Sequence, residues 1–176
     1  FQLNGTSPRP VYQQIIDQVK RGVASGRVRR GEQLPTVREL AAQLRTAVYP
    51  HLVPIANRWH ASVNIETRFP AQHAEFISRC HAAGQLRPTP LLLQYATGDY
   101  NCLHQDLYGE VAFPLQAACV LNQHGRDYAG GEFLLTEQRP RVQSRAEVVP
   151  LMQGVGVIFA VSQRPMQGRR GIYRVA

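Results

Sequence analysis

The residues with the clearest chemical potential are His104, Gln105 and Asp106, in the run QYATGDYNCLHQDLYGE. On an extended strand, side chains two residues apart face the same way, so the imidazole of His104 and the carboxylate of Asp106 can meet at one point. One imidazole and one carboxylate are two members of the three-ligand facial set that holds non-haem Fe(II) and leaves positions open for other ligands. Three letters alone equally suit a hydrogen-bonded pair in an exposed turn, and both readings stay open here. Tyr100 and Tyr108 flank the pair and are candidates to line a substrate pocket beside it. Cys102 alternates with His104 and is either a further ligand or, more plainly, a small buried thiol.

The chain that carries these residues has 176 positions, 44% hydrophobic and 18% charged, enough apolar material for a core. No apolar run approaches the roughly 20 residues of a membrane-spanning helix, so no membrane partner is expected. The opening FQLNGTSPRP has no apolar signal-peptide core. Cys80, Cys102 and Cys119 are few and scattered, which argues against a disulfide framework and suits a reducing cytoplasm. Nineteen arginines and one lysine, Lys20, oppose twelve acidic residues for a net charge of +8. Guanidinium forks pair well with phosphate, so nucleic acid is the expected partner, with a solvated basic surface as the alternative. Arg139, Arg141 and Arg145, and Arg164, Arg169, Arg170 and Arg174, are candidates for a phosphate grip or for plain solvation. Glu132 and Glu137 are expected to pair with Arg139, Arg141 or Arg145.

Two segments meet near Arg45–Thr46, and the expected domains are 1–46 and 47–176. In the first, Val11, Ile15, Val19 and Val23 recur every fourth residue and Gly26 ends the pattern, with Pro10 suiting a first helical turn. A turn at Arg30-Gly31-Glu32 follows. Thr36 and Glu39 then form a T-x-x-E capping box opening a helix through Leu44. In the second segment, residues of about 47–63 and 71–84 have helical spacing. After Gly84 the pattern predicts strands at Leu91–Tyr95, Asn101–Leu107, Phe113–Leu121, Glu132–Thr136, Val148–Met152, Val155–Val161 and Ile172–Val175. Short strands at that spacing suggest a sandwich, jelly roll or barrel. Trp59, Phe69, Phe76, Phe113, Phe133 and Phe159 are candidate core.

Two resemblances follow from these runs. PVYQQIIDQVKRGVASGRVRRGEQLPTVRELAAQLR is similar to the start of a GntR-type winged helix-turn-helix, in which the arginine at the position of Arg38 commonly touches DNA. The similarity stops at Arg45, where Pro50 and Pro54 stand in place of the reading helix. It implies a DNA-binding transcriptional regulator as the alternative function.

The larger segment resembles the Fe(II)/2-oxoglutarate-dependent oxygenases related to AlkB-type DNA-repair dioxygenases. RPTPLLLQYATGDYNCLHQDLYGE, FPLQAACVL, GGEFLLTEQRPRVQSR and VPLMQGVGVIFAV carry that resemblance. It implies an α+β chain whose core is a double-stranded β-helix (jelly roll) behind N-terminal helices. It also implies His104 and Asp106 as catalytic iron ligands, Tyr95 as a hydrogen-bond partner of the co-substrate 2-oxoglutarate, and oxidative demethylation of alkylated DNA. Leu93 stands where repair enzymes place an Asn two residues before that Tyr. The resemblance places a distal His and an Arg beyond Tyr173-Arg174-Val175-Ala176, so the last strands are expected to be missing and activity impaired. His124, the last histidine, falls in a predicted turn. A homodimer completing the β-helix is the expected remedy.

Overall fold

Among the described residues three helices precede six strands, which makes this an α+β chain: α1 (Val11–Ala24), α2 (Val37–Ser62), α3 (His73–Ala82), β1 (Leu115–Cys119), β2 (Phe133–Glu137), β3 (Arg145–Val149), β4 (Gly156–Ala160), β5 (Arg164–Gly168) and β6 (Gly171–Val175). The computed structural model describes residues 2, 4, 7–9, 11–29, 31–138 and 143–175, with backbone alone at 11 and 12. Pro10, Arg30, Arg139, Arg141 and the side chain of Val11 lie outside the described residues. No described helix is long and apolar enough to cross a membrane.

The capping box at Thr36 forms as expected: its hydroxyl accepts from the Glu39 N–H, and the Glu39 carboxylate accepts from the Thr36 N–H. The helix it opens does not stop at Leu44. It runs unbroken through Arg45–Thr46, Pro50 and Pro54 to Ser62. Each proline lacks the N–H that would reach back four residues, so the carbonyls of Thr46 and Pro50 lose their helical partner. Thr46, Pro50, Pro54 and Arg58 form an exposed stripe at four-residue spacing, where water can take those bonds. The opposite stripe, Tyr49, Val53, Ala56 and His60, is buried. The proline pair is thus tolerated inside the helix because both fall on the wet face. The helix leaves no turn and no separate reading helix after Arg45, and Arg38 sits exposed in its first turn. The regulator alternative, with Arg38 as its DNA contact, finds no support in this geometry.

The core lies between α2, α3 and the segment leading into β1. Tyr49, Val53, Ala56, Phe69 and Phe76 form it, with Cys80, Val111 and Phe113 packed against it. Ring centroids are 4.8 Å apart for Phe69–Phe113, 5.3 Å for Tyr49–Phe113 and 5.4 Å for Tyr49–Phe76. Three polar side chains of α2 fasten the 67–70 connection. The Tyr49 hydroxyl donates to Pro70 O, the Asn57 amide brackets both backbone groups of Phe69, and His60 Nδ1 donates to Thr67 O. Burial pushes the Tyr49 hydroxyl up to about 12. No described side chain of α1 is buried, and Val23 of its apolar face is largely exposed.

His73 begins α3 and is buried against Tyr49. The Thr46 hydroxyl donates to Ala42 O, so it accepts from His73 Nδ1, leaving Nε2 without a partner. Burial, and then the Arg45 guanidinium, hold the His73 pKa below its ordinary value. The unfolded chain therefore binds this proton more readily than the folded one. Its contribution to stability is complete above the unfolded value of about 6.5 and is lost as pH falls through it toward the folded pKa. Thermal unfolding followed from about pH 8 down to about pH 5 checks this, because His73→Gln must flatten the profile in that window.

The strands form three two-stranded antiparallel sheets: β1 with β4, β2 with β3, and β5 with β6. β3 starts earlier than expected and ends at Val149, because Pro150 cannot donate to the ladder. β5, which the sequence pattern did not predict, pairs with β6. Residues 91–95 and 101–107 carry no strand, contrary to expectation. No described strand pairs with them, and an alternating pattern without a neighbour does not make a strand. Their apolar side chains face outward, with Leu91 77% and Leu103 65% exposed.

Candidate functional site

The expected site residues His104 and Asp106 lie on an irregular loop rather than on a strand, yet their side chains converge. His104 Nε2 is 3.3 Å from Asp106 Oδ1. On the far side of the ring, Nδ1 lies 2.8 Å from the Cys102 carbonyl, which can only accept, so Nδ1 carries the proton. Nε2 then faces a carboxylate oxygen. Only a proton or a cation between the two satisfies that arrangement. The other Asp106 oxygen, Oδ2, accepts from Gln116 Nε2 at 2.8 Å. Each candidate ligand is thus oriented by a hydrogen bond on the side away from the meeting point, the usual support of metal-binding His and carboxylate groups.

This pose is built outward from the core. Phe113 packs among the aromatic rings, Pro114 is fully buried, and β1 starts at the next residue. Gln116 is therefore fixed one residue into a strand that pairs with β4, opposite Phe159. Gln105, between the two candidate ligands, donates through Nε2 to the carbonyl of Val161, just past β4. The loop is tied at adjacent residues to both strands at one end of a single sheet. Before β1, the Gln85 amide donates to the carbonyls of Tyr108 (3.3 Å) and Val111 (3.0 Å) and accepts from Val111 N (2.9 Å). Gly109 lies directly against it: a Cβ there would come within 2.5 Å of Gln85 Cδ.

The remaining candidates separate. Tyr95 and Tyr100 line one open cleft with Gln94, Gly98 and Asp99. Tyr108 is 74% exposed and lies outside it. Cys102 is exposed, which overturns its reading as a buried thiol; its carbonyl, not its sulfur, serves the site. His124 sits in an exposed turn against the Tyr128 ring. Glu137 forms an ion pair with Arg164 rather than only with its expected neighbours. Among the described residues no group of three His, Cys, Asp or Glu could hold a metal. Gln85, Gln105 and Gln116 carry the site's geometry but escape sequence reasoning, because a neutral amide has no distinguishing spacing.

An α+β chain with a backbone-oriented imidazole facing a strand-oriented carboxylate is the setting in which the family comparison falls. The chain belongs to the family described as an oxygenase catalysing oxidative methylation of damaged DNA, which matches residues 30–176. It is also 50% identical over 129 residues to uncharacterized proteins of two Mycobacterium tuberculosis strains, CDC 1551 / Oshkosh and ATCC 25618 / H37Rv. The alignment covers 73% of this chain and 55% of each relative, so the chain spans about half the length of those proteins. No solved structure matches it.

Replacing Gln116 with Leu is expected to weaken divalent-metal binding by about 10–100-fold, the usual effect of losing an orienting partner. Isothermal titration with Mn(II) checks it, with the far-ultraviolet circular dichroism unchanged.

Proposed function

We propose that this chain carries part of the active site of an Fe(II)- and 2-oxoglutarate-dependent dioxygenase that demethylates alkylated DNA. The observation that carries this reading is the 3.3 Å approach of His104 Nε2 to Asp106 Oδ1, with the outer atom of each side chain already committed to an orienting partner. The residues fit two of the three protein positions of a facial iron site. Bound Fe(II) with 2-oxoglutarate would supply the O₂ activation and oxidising power for hydroxylating an N-methyl group. Tyr95 offers its hydroxyl to the co-substrate from the cleft it shares with Tyr100, and Tyr108, outside that cleft, offers an exposed ring to the nucleobase. The hydroxylated N–CH₂OH group loses formaldehyde, leaving N–H, so the reaction removes a methyl group rather than adding one.

The nesting of β2–β3 between β1 and β4 supports a double-stranded β-helix, since a jelly roll is a long hairpin rolled on itself. In this reading residues 47–176 form the oxygenase-like unit, and residues 1–46 share α2 with it. A second copy of the chain covers the exposed apolar run at 91–107. The test is release of succinate and formaldehyde with Fe(II), 2-oxoglutarate and an N-methylated oligonucleotide. Absence of both products from a chain of dimeric mass overturns the dioxygenase reading, and full turnover by a monomer overturns the second copy.

A further inference from the structure

We propose that the β5–β6 hairpin is an arm that grips the phosphate backbone of the nucleic acid, an inference that rests on the reading of the chain as an oxygenase of DNA. After Glu147 the sequence contains four arginines and no acidic residue. All four lie on this hairpin: Arg164 in β5, Arg169 and Arg170 at its tip, and Arg174 in β6. The base of the hairpin is buried at Val161, Ser162 and Val175, and exposure rises toward the tip.

The register sorts the side chains by face. Residues directly opposite in an antiparallel pair point to the same side. Arg164 and Val175, then Met166 and Tyr173, make the inner face, whereas Pro165 with Arg174 and Gln167 with Ile172 make the outer one. Arg164 on the inner face is consumed by its ion pair with Glu137, which fastens the arm to β2. Arg174 on the outer face gives one N–H to Gln163 and keeps its other donors. Among the described residues, no carboxylate pairs with Arg169, Arg170 or Arg174. The tip is a two-residue turn between the paired Gly168 and Gly171, and both of its arginines are exposed.

Position favours nucleic acid over a generic anion. Val161, whose carbonyl receives the Gln105 amide, lies three residues before β5, so the arm is rooted one hydrogen bond from the His104–Asp106 loop. Five residues of strand carry the tip about 17 Å from that root. Such an arm suits a polymer with repeated phosphates extending away from the site, and a two-stranded ribbon is of a size the major groove admits.

The test is fluorescence anisotropy of a fluorescein-labelled mixed-sequence DNA of about 12 nucleotides, single-stranded and duplex, with wild type and Arg169→Gln/Arg170→Gln. Two lost phosphate contacts predict a salt slope shallower by about 1.4 on the single strand or about 1.8 on the duplex, and binding about 100-fold weaker at about 50 mM salt. The larger of the two effects identifies the form held. A control of equal charge change, Arg27→Gln/Arg58→Gln, is expected to leave the slope within about 0.5 of wild type. Equal slopes in wild type and the hairpin variant, or an equal loss in the control, overturn the proposal. Fe(II)-dependent 2-oxoglutarate decarboxylation without DNA, measured in parallel, reports on the oxygenase reading by itself. Its absence from wild type refutes that reading without altering the binding result.

Discussion

Replacing His104 with alanine will reduce the affinity for Mn(II) or Fe(II) by more than about 100-fold, because loss of an orienting partner already costs about 10–100-fold and a ligand counts for more. The imidazole is the better-prepared half of the pair. Its Nδ1–H is held by the Cys102 carbonyl, which fixes the tautomer and leaves Nε2 free to bind. Removing the ring leaves Asp106 with one oxygen toward Gln116 and the other toward solvent, a weak monodentate contact. The side chain is about half exposed, so the substitution is expected to change folding stability by no more than about 0.5 kcal/mol. Electron paramagnetic resonance of free Mn(II) in a titration separates the two effects directly. Equal affinities in wild type and variant would mean that the His104–Asp106 approach is an ordinary ion pair.

Phe69→Ala will destabilise the fold by about 3–5 kcal/mol, the range for deleting a buried phenyl ring. Phe69 is 5% exposed, with its ring 4.8 Å from Phe113, 4.9 Å from His60 and 5.8 Å from Phe76. Collapse around the gap is opposed because Asn57 holds the Phe69 backbone from both sides. Urea unfolding is the measurement, with the midpoint falling and the slope retained. Phe69→Leu, which keeps most of the volume, should cost clearly less than the alanine variant. The loss should also reach the site: Phe113 leaves the cluster directly into Pro114 and β1, where Gln116 orients Asp106. Metal affinity in Phe69→Ala should therefore drop even under conditions where the chain is folded.

Local signals were legible where one residue type has one physical use. The T-x-x-E box at Thr36 opened a helix where the sequence placed one, and four-residue spacing located α1. The approach of His104 to Asp106 was legible from residue types, although the reason given for it, a shared strand face, was not the one found. Three things were not legible. Arg45–Thr46 read as a boundary between two segments, because a change of local pattern does not say whether one helix runs across it, as α2 does. Residues 91–107 read as strands because alternation says nothing about whether a partner is present. β5 was missed because Arg164-Pro165-Met166-Gln167-Gly168 lacks apolar alternation and becomes a strand only through its pairing with β6.

The Gln85 amide has a consequence for how this loop can change over time. Its three bonds to residues 108 and 111 replace the ladder that a neighbouring strand would have provided. A ladder shares its hold among many residues and forgives the loss of any one. Here one amide side chain holds residues 108–111, and exchanging its NH₂ for an oxygen, as in Gln85→Glu, would set an acceptor against two carbonyls. The loop sequence around Gly109 is therefore free to drift only while that one amide, and the hollow it fills, are inherited together.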